Sequence, residues 1–361
     1  MPKRRIIVLL LRPWRLMTSW RMFTAVFLIS FFGILAALYF SILWLDPYGI
    51  VSPLSQKVLQ YGNQRTLYPQ IVRSSRFDSY VIGTSTSRLI DPRALNAPFK
   101  AHFANLAMNS MLAWEQKTMA ELVLRENSSP KVMIFGLDSV WCESTADTHR
   151  FLKEGFPDWL YDDRRWNDFL HLLNDPTLRI VLRQILYRFG LVASNVRDDG
   201  FGVFVPPEPK YDLLRAQAEI WNGAPRPNVI ETPPVQLTAG EREAIHLPAL
   251  QWLDDLLAQF PASTRKILAF MPVHVAAQPV PGSRAASIES ECKLRISKIA
   301  SSRGALLIDW RYPSGLTRND INYWDSLHYR LPIAERITRD LIAASIEGRL
   351  SGDDTYRILS P

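Results

Sequence analysis

Apolar runs and helical patterns alternate along most of this 361-residue chain. After about residue 78, short uninterrupted apolar runs are separated by longer segments in which apolar residues recur every three or four positions. Uninterrupted apolar runs of this length are typical of strands that are buried on both faces. We therefore predict five strands, at Ser79–Ile82, His102–Leu106, Lys131–Leu137, Lys266–Met271 and Ala305–Asp309.

The intervening segments predict helices. The main ones are Met111–Glu126, Glu241–Phe260, Ser283–Arg303 and Pro332–Glu347. Strands that alternate with helices favour right-handed crossovers and a parallel sheet. The pattern predicts a doubly wound α/β domain, in which ligands bind at the carboxyl ends of the strands.

One apolar run is of a different kind. Met22–Leu45 contains 24 residues without a charge, and about 20 apolar helical residues cross a bilayer. Basic residues precede the run and Asp46 follows it, which places the N-terminus in the cytoplasm. A cleaved signal peptide would have a shorter apolar region and a small-residue cleavage site, so we predict an uncleaved single-pass anchor in a bacterial inner membrane, with the main domain periplasmic.

Two regions fit neither pattern. Residues 46–77 are polar and irregular, which indicates a stalk or lead-in to the α/β domain that begins at residue 78. Residues from about 144 to 234 are rich in Trp, Tyr, Arg, Asp and Pro, with helical pieces such as Asp175–Tyr187. We interpret this region as an insertion above the sheet that forms a cap or a partner surface.

The positive charge of the chain is local. The net charge is +7, and the tail at residues 1–21 carries six basic residues and no acidic one. The remainder is close to neutral, which argues against a nucleic-acid partner. The two cysteines, Cys142 and Cys292, would face a compartment where disulfides form, although nothing in the sequence shows that they pair. No HExxH or paired CxxC motif indicates a metal site.

The first candidate for chemistry is the stretch VIGTSTSRLIDP from Val81 to Pro92, where an apolar strand ends in Gly83 and four hydroxyl residues follow. Ser85 would lie where the strand passes into a helix, and backbone N–H groups there stabilise a developing oxyanion. Thr86 and Ser87 are competing nucleophiles. The alternative is that one of these hydroxyls caps the next helix.

The second candidate is YWDSLHYR near the other end, where Asp325 precedes His328 by three residues. A carboxylate at this spacing can orient one imidazole nitrogen while the other faces a serine. The alternative is a surface capping arrangement. Asp138 and His274 each follow a predicted strand, so they are expected at the same edge of the sheet, with His274 as a candidate substrate contact.

Four segments in this order, VIGTSTSR, FANLAMNS, IFGLDS and NYWDSLHYR, resemble the SGNH/GDSL hydrolase-like superfamily, especially its membrane-anchored bacterial branch. The resemblance implies a flavodoxin-like three-layer domain with five parallel strands. It makes Ser85 the nucleophile, His328 the general base and acid, and Asp325 the orienting group. The second block, which supplies a backbone oxyanion donor, reaches about Ser110.

The sequence departs from the family pattern in two blocks. Thr84 replaces an aspartate, and Asp138 replaces an asparagine that donates to the oxyanion; loss of such a donor costs on the order of 3 kcal/mol. Asn105 and Asn109 are alternative donors, and Arg88 is a further candidate substrate contact.

Relatives of this branch act in alginate acetylation and teichoic acid D-alanylation. The resemblance implies acyl transfer or ester hydrolysis on an envelope or exported polysaccharide, with a membrane-bound acyl-donor partner and no cofactor. The alternative is a non-catalytic scaffold or binding protein of the same fold, which the altered third block favours.

Overall fold

A six-stranded, mostly parallel sheet lies at the centre of the protein. The computed structural model describes residues 20–53, 58–59, 63–147, 155–194, 196–223 and 233–360. The strands are β1 Val58–Leu59, β2 Ser79–Ile82, β3 Phe103–Asn105, β4 Val132–Leu137, β5 Val196–Arg197, β6 Arg265–Phe270, β7 Ala305–Asp309 and β8 Arg357–Ile358. The sheet order is β3-β2-β4-β6-β7-β8, and only β8 runs antiparallel to its neighbour. β1 and β5 form a separate antiparallel pair.

The helices connect the strands and cover the sheet. They are α1 Trp20–Leu45, α2 Gln64–Leu67, α3 Pro69–Arg73, α4 Pro92–Phe99, α5 Ala113–Glu126, α6 Asp175–Arg188, α7 Leu213–Ile220, α8 Ala239–Glu243, α9 Pro248–Gln259, α10 Arg284–Ser302 and α11 Leu331–Glu347. The α/β class and the parallel sheet predicted from the sequence are confirmed. The five predicted strands form the parallel part of the sheet, with bounds that differ by at most one residue at either end.

The strands read as continuous apolar runs because both faces of the sheet are buried. Tyr80 and Ile82 belong to a hydrophobic cluster with α5, α9 and α10. Val81, between them, belongs to a second cluster with α4 and α11. Successive side chains of a strand point to opposite faces, so the two clusters lie on the two sides of the sheet.

The predicted helix Glu241–Phe260 is divided in two. α8 ends at Glu243, and α9 begins at Pro248. Proline is accommodated in the first turn of a helix and breaks a helix interior, so Pro248 starts a new helix rather than continuing the first. Leu253, Leu256 and Leu257, which are buried, lie on the face of α9 that packs against the sheet.

The prediction of an irregular stalk at residues 46–77 was wrong for residues 64–73. α2 and α3 lie in this segment, and Leu67, Ile71 and Val72 are buried in the first cluster. Arg73 is also buried and pairs with Asp168 of the region interpreted as an insertion, at 3.2 Å. This segment therefore forms part of the α/β body.

α1 is one helix, long and apolar enough to span a membrane. It contains the predicted span, and most of its apolar side chains are exposed. At its end Ile42 and Leu45 are buried in the first cluster. Of the basic tail, residues 1–19 lie outside the described part of the chain.

Cys142 and Cys292 form a disulfide, a pairing that the sequence left open. It joins the 3₁₀ turn that follows β4 to the middle of α10. The bond thereby fixes a loop at the carboxyl edge of the sheet to a covering helix.

Candidate active site

Ser85, His328 and Asp325 form a hydrogen-bonded chain. Ser85 is the first residue of a 3₁₀ turn, Ser85–Ser87, that follows β2, and His328 lies in the loop before α11. His328 Nε2 is 2.9 Å from Ser85 Oγ, and His328 Nδ1 is 2.8 Å from Asp325 Oδ2. Ser85 and His328, 243 positions apart in the sequence, are thus within hydrogen-bond distance. With Asp325 they have the arrangement of a nucleophile, a base and an orienting group.

Asp325 both shapes its loop and contacts the imidazole. Its Oδ1 accepts hydrogen bonds from the backbone N–H groups of Leu327 and His328, at 2.8 and 2.9 Å. Burial raises the pKa of Asp325, but the hydrogen bonds and charge of His328 outweigh this, and the pKa lies below its ordinary value. The carboxylate is therefore held ionised. Its bonds to Leu327 and His328 close a local turn and do not cap α11, whose N-cap is Arg330.

Tyr329 joins the two halves of the site. The loop from Trp324 to His328 is closed by a hydrogen bond from Trp324 N–H to His328 O and by a bridge between Tyr323 and Tyr329. The Tyr329 side chain is buried, and its hydroxyl donates to the backbone carbonyl of Thr86, next to Ser85. Its position directly after His328 in the sequence was a signal that sequence reasoning did not use.

Ser87, a competing nucleophile in the sequence, is enclosed. It has no exposed surface, and its Oγ has no hydrogen-bond partner among the described residues. A Cβ added at Gly136 would lie 1.8 Å from this Oγ, and one added at Gly83 would lie 2.6 Å from it. Ser87 thus fills the space between the ends of β2 and β4, and the two glycines are required to accommodate it.

Asp138 lies behind the 3₁₀ turn Ser85–Ser87, called here the serine turn. It is buried, and its carboxylate accepts hydrogen bonds from the hydroxyls of Thr84 and Thr86, the latter at 3.2 Å. Arg311 Nη1 is 3.6 Å from Asp138 Oδ1. Burial raises the pKa of Asp138, and Arg311, the two hydroxyls and His328 only partly offset that effect. Thr84 and Asp138, the two departures from the family pattern, thus contact each other.

The end of β3 and the loop that follows it carry the remaining oxyanion candidates. Asn105 is buried and donates to the carbonyls of Ser87 and Ile90, both at 2.9 Å, so its amide holds the serine turn rather than facing a substrate. The Asn109 side chain accepts from Arg88 at 2.7 Å. Ser110 is exposed and adopts a left-handed backbone with φ of 49°.

Arg65 of α2 fixes this loop. Its guanidinium forms a buried ion pair with Glu115, with Nε 2.6 Å from Oε1, and donates to the carbonyls of Asn109 and Ser110. Sequence reasoning missed Arg65 because an isolated arginine in a polar segment gives no sign of burial.

His274 lies behind the His328 loop, and its ring makes its hydrogen bonds away from Ser85, His328 and Asp325. Its ring is fully buried, with Nε2 3.0 Å from Asp320 Oδ1 and with Nδ1 accepting from the Ala276 N–H. Its backbone N–H donates to Ser326 O, within the His328 loop. The prediction of a substrate contact is therefore corrected to a role in supporting that loop.

Phe204 forms a wall of the site that no sequence pattern indicated. Its ring meets the His328 ring edge to face at a centroid distance of 5.2 Å. The Arg88 guanidinium lies over the same ring, 4.4 Å from its centroid. Phe204 comes from the region interpreted as an insertion, so that region contributes to the site. Arg88, a candidate substrate contact, is buried and orders Phe204 and Asn109.

Two further contacts from the region interpreted as an insertion hold the loop that carries His328. Gln217 of α7 donates to Asp320 at 2.9 Å, and Glu208 pairs with Arg330, two residues after His328. The side chains that flank His328 are thereby tied to residues 204–220.

A cavity of about 180 Å³ borders the site on the side of Asp138. Its lining includes Asp138, Arg311, Glu289 and Phe270, but neither Ser85 nor His328. In the described part of the chain, no group of three or more His, Cys, Asp or Glu side chains could hold a metal ion.

No model of a known protein family matches the chain, and no match was found among curated proteins. The site must therefore be interpreted from its geometry.

Proposed function

We propose that this chain is a membrane-anchored serine acyl esterase or acyltransferase of the SGNH/GDSL type, with a flavodoxin-like three-layer domain. The proposal rests on the series of hydrogen bonds from Ser85 Oγ through His328 to Asp325. A serine is a weak nucleophile at its ordinary pKa, and an adjacent base oriented by a third group is the usual means of activating it.

In the proposed reaction Ser85 Oγ attacks the carbonyl carbon of an acyl ester, and His328 Nε2 accepts the hydroxyl proton. Asp325 stabilises the imidazolium and keeps Nε2 directed at the serine. Collapse of the tetrahedral intermediate breaks the ester bond, and the leaving alcohol takes the proton from His328. Water or a sugar hydroxyl then attacks the acyl-serine with His328 again as base, which releases the acyl group and restores Ser85.

The oxyanion would be stabilised mainly by backbone N–H groups. The first N–H groups of a helical turn have no partner within it, and Ser85 is the first residue of its turn. Asp138 cannot donate while ionised, so the amide donor of the family pattern is absent at this position.

The surroundings support an extracytoplasmic location. α1 has the length and composition of a membrane span, and the Cys142–Cys292 disulfide suits an oxidising compartment. With the N-terminus in the cytoplasm, the domain would be periplasmic. By the family resemblance, its substrate would be an envelope or exported polysaccharide and its acyl donor a membrane-bound partner.

A fluorophosphonate probe on the full chain in detergent tests the nucleophile. We expect wild type to be labelled, and Ser85→Ala to reduce the labelling rate by about 10³-fold or more, as loss of a catalytic serine does elsewhere. Ser87→Ala is the matched control, because it removes a neighbouring hydroxyl that the probe cannot reach, and it should label like wild type. Labelling that survives Ser85→Ala, or is lost in Ser87→Ala, would contradict the assignment.

The second candidate function is a non-catalytic binding or scaffold protein. The carboxylate of Asp138 favours it, because a negative charge at this position opposes development of an oxyanion. This alternative predicts no labelling of the correctly folded wild-type chain by the probe.

A further inference from the structure

Helix α6 has an exposed apolar stripe on its outer side. Thr177, Ile180, Val181 and Gln184 form its buried face. Leu178, Leu182 and Phe189 are exposed, Leu182 by 57% and Phe189 by 75%. At about 100° per residue these three positions fall within about 40° of one another around the helix. Soluble surface helices normally place polar residues there.

The stripe continues beyond the helix at both ends. Leu170 and Leu173 are exposed in the segment that leads into α6, and Leu191 is exposed just after it. Asp175 and Arg179 border the stripe on one side and form an exposed ion pair with each other at 2.7 Å. An exposed apolar stripe on an amphipathic helix is typical of helices that lie in the headgroup region of a bilayer.

Three contacts fix α6 against the end of α1. The Tyr39 hydroxyl donates to Phe169 O at 3.1 Å, and Tyr48, just after α1, shares a buried hydrogen bond of 2.9 Å with Thr177. The Arg188 guanidinium lies over the Trp44 ring, 5.0 Å from its centroid. The orientation of α6 to the apolar helix is therefore set at both ends of α6.

The contact between Tyr39 and Phe169 indicates how deep in the bilayer the segment before α6 would lie. α1 has 26 residues, about 39 Å of helix against a hydrocarbon core of about 30 Å, so about 4–5 Å would project from each side of a centred span. Tyr39 lies six residues before Leu45, about 9 Å along the axis, and helix side chains lean toward the N-terminus. On this centred span Tyr39 would lie about 4–5 Å inside the hydrocarbon boundary, and Phe169, which its hydroxyl contacts, would lie at a similar depth.

The geometry points to a second membrane contact: α6 and the adjoining Leu170 and Leu173 lie on the bilayer that α1 spans, with the apolar stripe in the acyl boundary and the paired Asp175 and Arg179 at the level of the headgroups. The occupant of the stripe is lipid, because α6 and the segment that leads into it contact the end of the apolar helix α1 at Trp44 and Tyr39. This inference rests on the proposed membrane anchor. It adds that the α/β domain is held against the membrane surface on one face rather than carried on a stalk.

Depth-dependent quenching on the full chain tests this contact. The chain would be reconstituted in phosphatidylcholine–phosphatidylglycerol vesicles with an NBD label at Leu182→Cys, since the native cysteines are bonded to each other. The label should show a blue-shifted emission and be quenched about twofold more by brominated lipid than a label at Leu214→Cys, an equally apolar position exposed on α7. Iodide in the aqueous phase should give the reverse order.

A label at Phe32→Cys, in the middle of α1, distinguishes failure of the proposed anchor from failure of the α6 contact alone. If the Phe32 label is quenched by lipid and the Leu182 label is quenched only by iodide, the anchor holds and the contact of α6 is overturned. If the Phe32 label is not quenched by lipid, the anchor itself fails, and the α6 contact fails with it. Efficient disulfide crosslinking between copies through Leu182→Cys would instead assign the stripe to a second copy of the chain and overturn the lipid contact.

Discussion

At the scale of single residues, the site depends on which polar groups are buried together. Asp138 is held between two threonine hydroxyls and Arg311 with almost no exposure. The SGNH/GDSL pattern that the sequence resembles has an aspartate in the first block and an asparagine in the third. In this chain the carboxylate of Asp138 is in the third position, and Thr84 and Thr86 supply hydroxyls that donate to it.

The raised pKa of Asp138 predicts how stability depends on pH. A carboxyl whose pKa is higher in the folded than in the unfolded state contributes stability below its unfolded pKa, and that contribution is lost as the pH rises through the folded value. Asp138→Asn does not titrate. We therefore expect the difference in Tm, variant minus wild type, to increase as the pH is raised from about 4 towards neutrality.

Thermal unfolding of wild type and Asp138→Asn in the same detergent over that pH range measures this difference. Asp163→Asn, at an exposed aspartate, controls for removal of a surface carboxylate. A Tm difference that stays constant or decreases with pH would contradict the raised pKa of Asp138.

The three residues of the proposed catalytic chain could be predicted from the sequence because each lies in a short motif. The preference for Ser85 over Ser87 rested on the resemblance alone, because both serines follow Gly83 and only packing, which encloses Ser87, separates them. Phe204 and Arg65 were missed for a similar reason, since their roles depend on contacts with residues that are distant in the sequence.

At the scale of secondary-structure elements, the strands were predicted well because burial on both faces leaves an uninterrupted apolar run. α2 and α3 were missed because they are short and mix buried polar with apolar residues. Arg65, Gln70 and Arg73 are all buried there. A hydropathy pattern treats such residues as exposed, and only their ion pairs and hydrogen bonds permit their burial.

The close approach of β4 to the serine turn gives a prediction at this scale. Gly136→Ala would place a Cβ 1.8 Å from Ser87 Oγ and 3.2 Å from Met271 Cγ. We expect the free energy of unfolding to fall by about 1–3 kcal/mol or more, as in other overpacked cores. Adding Ser87→Ala should recover part of this loss, because the nearest clashing atom is removed.

Chemical denaturation of the two single variants and the double variant measures the coupling. Gly240→Ala, which meets no atom within 4 Å, is the matched control and should be close to neutral. Strictly additive effects of Gly136→Ala and Ser87→Ala would show that the strand end and the serine turn do not share this space.

At the scale of the whole molecule, the disulfide joins positions 150 residues apart across the α/β body. Its closure restricts the unfolded chain. Replacing both cysteines, Cys142→Ser with Cys292→Ser, should lower the free energy of unfolding by about 2–5 kcal/mol. Denaturation of the full chain with and without reductant measures this.

Wild type under reducing conditions should match the double cysteine variant, and the variant should not respond to reductant. Equal stability of oxidised wild type and the variant would show that the bond does not restrict the unfolded state as expected. The pairing itself could not be predicted from the sequence, because two cysteines this far apart are brought together only by the order of the strands.

The long separation of Ser85 from His328 also bears on when the site can form during biosynthesis. Domains fold as their chains emerge, and the anchor and Ser85 are made long before the loop at 325–328. Until that loop docks through Tyr329, Ser85 has no base beside it and behaves as an ordinary alcohol. If the domain is exported as proposed, a nascent chain would carry no activated nucleophile while most of it is still on the cytoplasmic side.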